Sequence, residues 1–265
     1  MKSISRRNFI VPVALALTCT LFSDATTMGA DEIKVVTSAA FTAAYRELAP
    51  EYEHATQTKL VTEFGASVGT THGAIPMRLE RGEEIDVVIM SAPALADLIQ
   101  QGKVRADSRV DLAQSKIAMA VKAGAPRPDI SSVDALKRTL LAAKSIAYSD
   151  SVSGVYLSTE LFPALGIANQ IKGKTRMIAS NPVGEAVAKG EVEIGFQQVS
   201  ELLPVKGIDI VGELPPGAQR VTVIAAGIPT LAKHPEAGKA FIQWLASPAA
   251  YAAIKKSGLE PPKSN

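Results

Sequence analysis

The chain has 265 residues, 47% of them hydrophobic and 20% charged, and a single cysteine. Its 28 Lys and Arg stand against 26 Asp and Glu, a formal charge of +2, which excludes the concentrated positive field of a nucleic-acid binder. One cysteine excludes an intrachain disulfide framework and a multi-cysteine metal site.

The first segment reads as an export signal rather than as part of the fold. Lys2, Arg6 and Arg7 precede an apolar run from Phe9 to Phe22 that only Pro12, Thr18, Cys19 and Thr20 interrupt. The run is shorter than the roughly 20 residues that span a bilayer. Small residues follow, with cleavage expected after Ala25 or Ala30. Ser5-Arg6-Arg7-Asn8-Phe9-Ile10 has the twin-arginine pattern. Ala16-Leu17-Thr18 before Cys19 is not a lipoprotein box, so the mature chain is expected to be thiol-free, soluble, periplasmic and monomeric. Losing residues 1–30 removes Lys2, Arg6, Arg7 and Asp24; 28 less three and 26 less one leave 25 of each sign.

Short apolar runs then alternate with helical periodicity. Strands are predicted at Ile33–Thr37, Leu60–Phe64, Ile85–Met90, Ile117–Val121, Ser145–Tyr148, Arg176–Ile178, Glu193–Phe196, Ile208–Val211 and Val221–Ala225. Helices are predicted at Phe41–His54, Ala74–Arg81, Pro93–Gln101, Val133–Ala143, Gly154–Leu165, Val183–Lys189, Pro235–Ala246 and Pro248–Ser257. Pro93, Pro235 and Pro248 suit first helical turns, Ser131 or Ser132 suits a cap, and Gly102, Gly166, Gly190 and Gly258 suit helix stops. The alternation predicts an α/β fold with mostly parallel sheets flanked by helices. Polar material over Arg105–Ser115 and the loop Pro215-Pro216-Gly217 each precede a fresh strand. Those two strands are read as crossings between a first lobe, 31–113 plus 224–265, and a second, 114–223.

Three strand–helix junctions are rich in hydroxyls and glycine: Thr37-Ser38-Ala39-Ala40-Phe41-Thr42, Gly65-Ala66-Ser67-Val68-Gly69-Thr70-Thr71, and Ser149-Asp150-Ser151-Val152-Ser153-Gly154. Helix N-termini leave N–H groups unpaired, and Ser or Thr hydroxyls add donors, so such junctions suit an anion. Each alone reads as an N-cap; three together read as a shared pocket beyond the carboxyl ends of the strands. Gln197 and Gln198, at another strand end, offer amide donors or tie a hinge. Arg78 reads as a solvated helix residue or as a carboxylate clamp. His54 and His234 read as solvated, and Phe241 and Trp244 as core. No nucleophile elbow, zinc-protease motif, Walker loop or dinucleotide fingerprint occurs. No His, Asp and Glu have metal-ligand spacing, so neither cofactor nor metal is expected.

The runs Val35-Val36-Thr37-Ser38-Ala39-Ala40, Phe64-Gly65-Ala66-Ser67 and Arg81-Gly82-Glu83-Glu84-Ile85-Asp86-Val87-Val88-Ile89, with the late Leu245-Ala246-Ser247-Pro248-Ala249-Ala250, resemble the molybdate-binding branch of periplasmic binding proteins. That resemblance implies a type II clamshell with two crossover strands as hinge, closing on an oxyanion and serving an ABC permease. It carries the first-loop serine contact onto Ala40, the second onto Ser67, the third near Ser153 and a backbone contact near Val183. Gln198 stands where molybdate binders have a tyrosine. A narrower resemblance, through Ala143–Ser151 and Gly195–Pro204, is to a subgroup that includes aconitate isomerase. It implies donors for carboxylates and a proton carrier, for which Asp150, His72 and Tyr156 are the candidates.

The expectation is therefore a binding protein for a small anion, an organic polycarboxylate before a molybdate-like oxyanion, with an aconitate isomerase on the same scaffold as the alternative. Ligand contacts are expected from Ser38, Ala40, Phe41, Ser67, Gly69, Thr70, Ser151, Ser153, Gly154, Val183, Gln197 and Gln198.

Overall fold

The computed structural model describes residues 32–179 and 182–262. The expected export signal, with Cys19 and both cleavage points, lies outside the described residues.

In chain order, the first part contains β1 (Glu32–Thr37), α1 (Ala39–Thr56), β2 (Lys59–Phe64), α2 (Ile75–Glu80), β3 (Val87–Ser91), α3 (Ala92–Gln100) and β4 (Val110–Ser115). A middle part follows with β5 (Ile117–Lys122), α4 (Val133–Ala142), β6 (Ile146–Ser149) and α5 (Val152–Tyr156). Helix α5 continues through a π turn at Leu157–Leu161 into α6 (Phe162–Ala164). The same part continues with α7 (Ala168–Ile171), β7 (Thr175–Ile178), α8 (Val183–Lys189), β8 (Ile194–Gln198), α9 (Val199–Leu202) and β9 (Ile208–Glu213). The chain then returns through β10 (Thr222–Gly227), α10 (Pro235–Leu245) and α11 (Tyr251–Lys256).

Two five-stranded sheets result, ordered β2-β1-β3-β10-β4 and β7-β6-β8-β5-β9. In the first, β1 pairs parallel with β2 and β3, while β10 runs antiparallel to β3 and β4. The second repeats this scheme, with β6 parallel to β7 and β8, and β5 antiparallel to β8 and β9. Both sheets are thus mixed where mostly parallel strands were expected. The strands that connect the sheets enter against the direction of the βα units. The chain changes sheet at Lys116, between β4 and β5, and again between β9 and β10.

Strand β4 corrects the reading of Arg105–Ser115 as connecting material. Its sequence Val-Asp-Leu-Ala-Gln-Ser mixes polar and apolar residues because it lies at a sheet edge, where Leu112 and Ala113 are buried and Asp111 is exposed. The central strands carry continuous apolar runs because helices cover both faces. Phe41, Tyr45 and Tyr52 of α1 pack with Phe241 of α10 on one face of the first sheet; the Tyr52 and Phe241 rings lie 4.7 Å apart. Ile75, Leu79, Leu95 and Leu98 cover the other. In the second sheet, Leu136, Leu140, Leu157 and Phe162 cover one face and Val183, Val187 and Leu202 the other.

Of the two serines proposed to cap α4, Ser132 does so: its Oγ accepts from the Ala135 N–H at 3.1 Å. Ser132→Ala is expected to lower stability by about 1 kcal/mol, read as a shift in urea midpoint at unchanged slope. Gly102, Gly166, Gly190 and Gly258 all have positive φ at helix stops, as predicted.

Candidate functional site

Between the two sheets lies a cavity of about 500 Å³, walled from both sides by strand ends and the turns that follow them. The first sheet contributes Ser38 and Ala40 after β1, Gly65 and Ser67 after β2, and Ser91 at the end of β3. The second contributes Ser149, Asp150 and Ser151 after β6, Pro182 ahead of α8, and Gln197, Gln198 and Glu201 at the β8–α9 junction. Thr222, on the returning crossover, completes the wall. Apart from Thr222, at the start of the antiparallel β10, these lie at or just beyond carboxyl ends of parallel strands, where successive chain turns diverge and leave a crevice.

Ser38 precedes α1 in extended conformation, yet its side chain makes no cap bond. Its Oγ is buried, 4% of the residue being exposed, and has no partner among the protein atoms. Ser91 Oγ is in the same state at 2%. Unmet buried hydroxyls are costly, and these two sit at the wall of one cavity. Ser67 acts differently: its Oγ accepts from the Ser91 N–H at 3.0 Å, fixing the two turns together. Across the cavity the hydroxyls of Ser149, Ser151 and Ser153 form a cluster, with Oγ–Oγ distances of 2.7 Å (Ser149–Ser151) and 3.2 Å (Ser151–Ser153).

Several predicted contacts have other structural duties. Phe41 is fully buried in the first core. Gly69, Thr70 and His72 are exposed in the turn beyond β2 and do not wall the cavity; Thr71 and Gly73 of that turn do. Ser153 is 1% exposed behind Ser151. Gly154 packs against the Ser149 carbonyl so tightly that a Cβ there would lie 1.6 Å from the oxygen. The Val183 N–H donates to Gln197 Oε1 at 2.8 Å, and Val183 itself is core. Gln198 lines the wall but is tied on both sides, Oε1 accepting from Ser115 Oγ at 2.8 Å and Nε2 donating to Thr222 Oγ1 at 3.2 Å. It therefore joins both crossings to the second sheet.

Tyr156 is also elsewhere. Its hydroxyl donates to the Ala218 carbonyl at 2.9 Å, and the Arg220 guanidinium stacks 4.1 Å above its ring. It faces a separate groove with Glu160 and Arg220. Arg78, read as solvated or as a clamp, is a buried structural residue paired with Glu63 and Glu83. Of the three proposed proton carriers, Asp150 alone reaches the cavity wall.

Sequence reasoning missed Ser91 and Glu201, and named Ser149 only within its junction and not as a ligand contact. Ser91 carries the same signal as the other junctions, a hydroxyl at a strand end with Pro93 in the following helical turn. Glu201 accepts from Gln197 Nε2 at 2.9 Å. Burial pushes its carboxyl up to about 7, against the lowering effects of the Gln197 side chain and the Gln198 backbone; the Asp150 charge raises it further. Among the described residues, no Lys, Arg or His walls this cavity, and no group of three His, Cys, Asp or Glu is arranged to hold a metal. The site offers hydroxyl, amide and backbone donors, plus the carboxyl groups of Asp150 and Glu201.

Residues 33–260 match the family model described as bacterial extracellular solute-binding protein. An aconitate isomerase from Pseudomonas sp is 51% identical over 229 residues, covering 86% of this chain and 87% of that protein. The periplasmic molybdate-binding protein of Azotobacter vinelandii superposes with a TM-score of 0.70 at 22% identity, over 87% of this chain and 100% of that one. The sulfate-binding protein SubI of Mycobacterium tuberculosis H37Rv does so at 0.70 with 18% identity, over 87% of both chains. These folds share the two-lobe architecture described above, and the chain belongs to the bacterial extracellular solute-binding protein family.

Proposed function

We propose that this protein is an aconitate isomerase of the periplasm: it encloses the tricarboxylate between its lobes and shifts the carbon–carbon double bond, interconverting the cis and trans forms. The carrying observation is that one cavity combines anion-suited donors with the carboxyl groups of Asp150 and Glu201. Donors alone would serve a carrier; a double-bond shift also needs a group that moves a proton beside the double bond. The 51% identity to an aconitate isomerase supports the same reading. The volume of about 500 Å³ suits an organic ligand, since such pockets run from about 300 to 1,000 Å³. In this reading residues 1–30 direct export, the lobes are 31–113 with 224–265 and 114–223, and Ser38, Ser67 and Ser151 hold carboxylates.

A carrier that delivers an organic anion to a permease is the second reading, favoured by the family to which the chain belongs. Proton NMR of purified mature protein with either aconitate isomer separates the two. The expected result is that cis- and trans-aconitate relax to one common mixture, with catalytic amounts of protein sufficing. Thermal stabilisation by both isomers without interconversion would decide for the carrier; ligand at about 100 times its Kd adds about 2.7 kcal/mol. Stabilisation by molybdate alone would dismiss both organic-anion readings.

A further inference from the structure

We infer that Glu201 is the catalytic group that removes the migrating proton from the substrate carbon and returns it at the other end of the allylic unit. This rests on the isomerase reading and assigns its central step to a residue on the β8–α9 turn.

The geometry favours Glu201 over Asp150. Gln197 holds it in a defined orientation. The Gln197 amide oxygen accepts from the Val183 N–H at 2.8 Å, which leaves its amino end to donate to Glu201 Oε1 at 2.9 Å. Amide identity follows from that network, because the flipped amide would set its N–H groups against the Val183 N–H and its oxygen against the Glu201 carboxylate. The holder is itself 4% exposed and so does not swing freely. Asp150 has its backbone N–H bonded to the Ile178 carbonyl, and no side chain among the described residues hydrogen-bonds its carboxylate.

Glu201 also borders a second cavity, of about 450 Å³, on the side where Glu185, Lys189 and Lys206 lie. The titratable groups around it are therefore Asp150 on the cleft side and these three behind. Glu185 and Lys189 approach each other at 3.7 Å. A free carboxylate near pH 7 is a weak base for a carbon acid, and desolvation strengthens it toward the working pH. Two carboxyl groups in one site with unlike surroundings take different roles; the one that an amide donor orients, Glu201, is the proton carrier here.

The step balances without a co-reactant. Glu201 carboxylate takes a proton from the substrate methylene, and the pair from that C–H bond forms the new carbon–carbon double bond. The old double-bond pair moves onto the far carbon and its carboxylate. Neutral Glu201 then gives the proton to that carbon. One C–H bond breaks, one forms, and the enzyme returns to its initial state.

The test compares wild type with Glu201→Gln and Glu201→Asp. For Glu201→Gln, calorimetry should find trans-aconitate bound within about threefold of wild type, while kcat falls at least about a hundredfold; Glu201→Asp should retain measurable turnover. Wild-type kcat/KM, which reports the free enzyme, should fall about tenfold per pH unit below an inflection near 7. Glu201→Gln turning over within about tenfold of wild type overturns the assignment and leaves the isomerase reading standing. Loss of binding along with turnover in that variant also overturns it, since Glu201 would then only build the pocket. A wild-type protein that binds aconitate but converts neither isomer removes the isomerase reading and this step with it.

Discussion

Gly154→Ala is expected to destabilise the protein by at least about 3 kcal/mol and to abolish ligand-induced thermal stabilisation. An alanine Cβ at this position would meet the Ser149 carbonyl oxygen at 1.6 Å and its carbon at 2.6 Å. Both are backbone atoms, so no side-chain rotation relieves the clash. Either β6 must shift at its carboxyl end or α5 must lift away from it. In both cases the Ser149–Ser151–Ser153 cluster comes apart. Urea unfolding monitors the first effect, and melting with and without aconitate the second. A variant with wild-type midpoint and ligand response would show that the turn yields without consequence. Gly154 thus matters to the site by letting a helix start against a strand end, and needs no ligand contact of its own.

Glu201→Gln is expected to stabilise the ligand-free protein at pH 8 by roughly 3 kcal/mol and to leave it nearly unchanged below pH 4.5. Desolvation raises this carboxyl from 4.5 to about 7. Between those values the folded chain holds more protons than the unfolded one, so stability declines as pH rises through the window and stays low above it. The amide has no charge to desolvate and its oxygen still accepts from Gln197. Melting curves of both proteins from pH 4 to pH 8 should therefore diverge upward in pH. Parallel curves would mean that the carboxyl titrates as an ordinary surface group. A residue whose removal stabilises the fold while costing activity is the signature of a strained functional site.

Much of the fold could be read from the chain because its central strands are buried on both faces. Val35-Val36, Val87-Val88-Ile89 and Ile117–Val121 show as plain apolar runs. Strand β4 could not, since an edge strand next to a crossing keeps Asp111 and Gln114 among its six residues. The cavity was legible where the signal was local: a strand end, a hydroxyl and a helix start mark Ser38, Ser67 and Ser151. Roles set by distant contacts were not. Tyr156 is drawn to the Ala218 carbonyl 62 positions away, and Gln198 to Ser115 83 positions away. Nothing local distinguishes Glu201 from any glutamate in a first helical turn. Its environment comes from Gln197, Asp150 and the closeness of the first lobe, where Ser200 Oγ donates to the Ala40 carbonyl at 2.8 Å.

The strand orders also set the sequence in which the molecule can assemble. All five strands of the second sheet lie within Ile117–Glu213, whereas β10, which separates β3 from β4 in the first, begins only at Thr222. A chain emerging from its N-terminus can therefore complete the inner sheet before the outer one has its fifth strand. Until then β4 has no partner, because it pairs with β10 alone in its sheet. Once the inner unit has folded, residues 115 and 222, opposite each other in the β4–β10 register, are already held close. The loop to be closed then shrinks from over a hundred flexible residues to two short connectors, which lowers the closure cost by about 2 kcal/mol before the outer pairing begins. The inserted unit thus acts as a folding clamp for the lobe that interrupts itself to contain it.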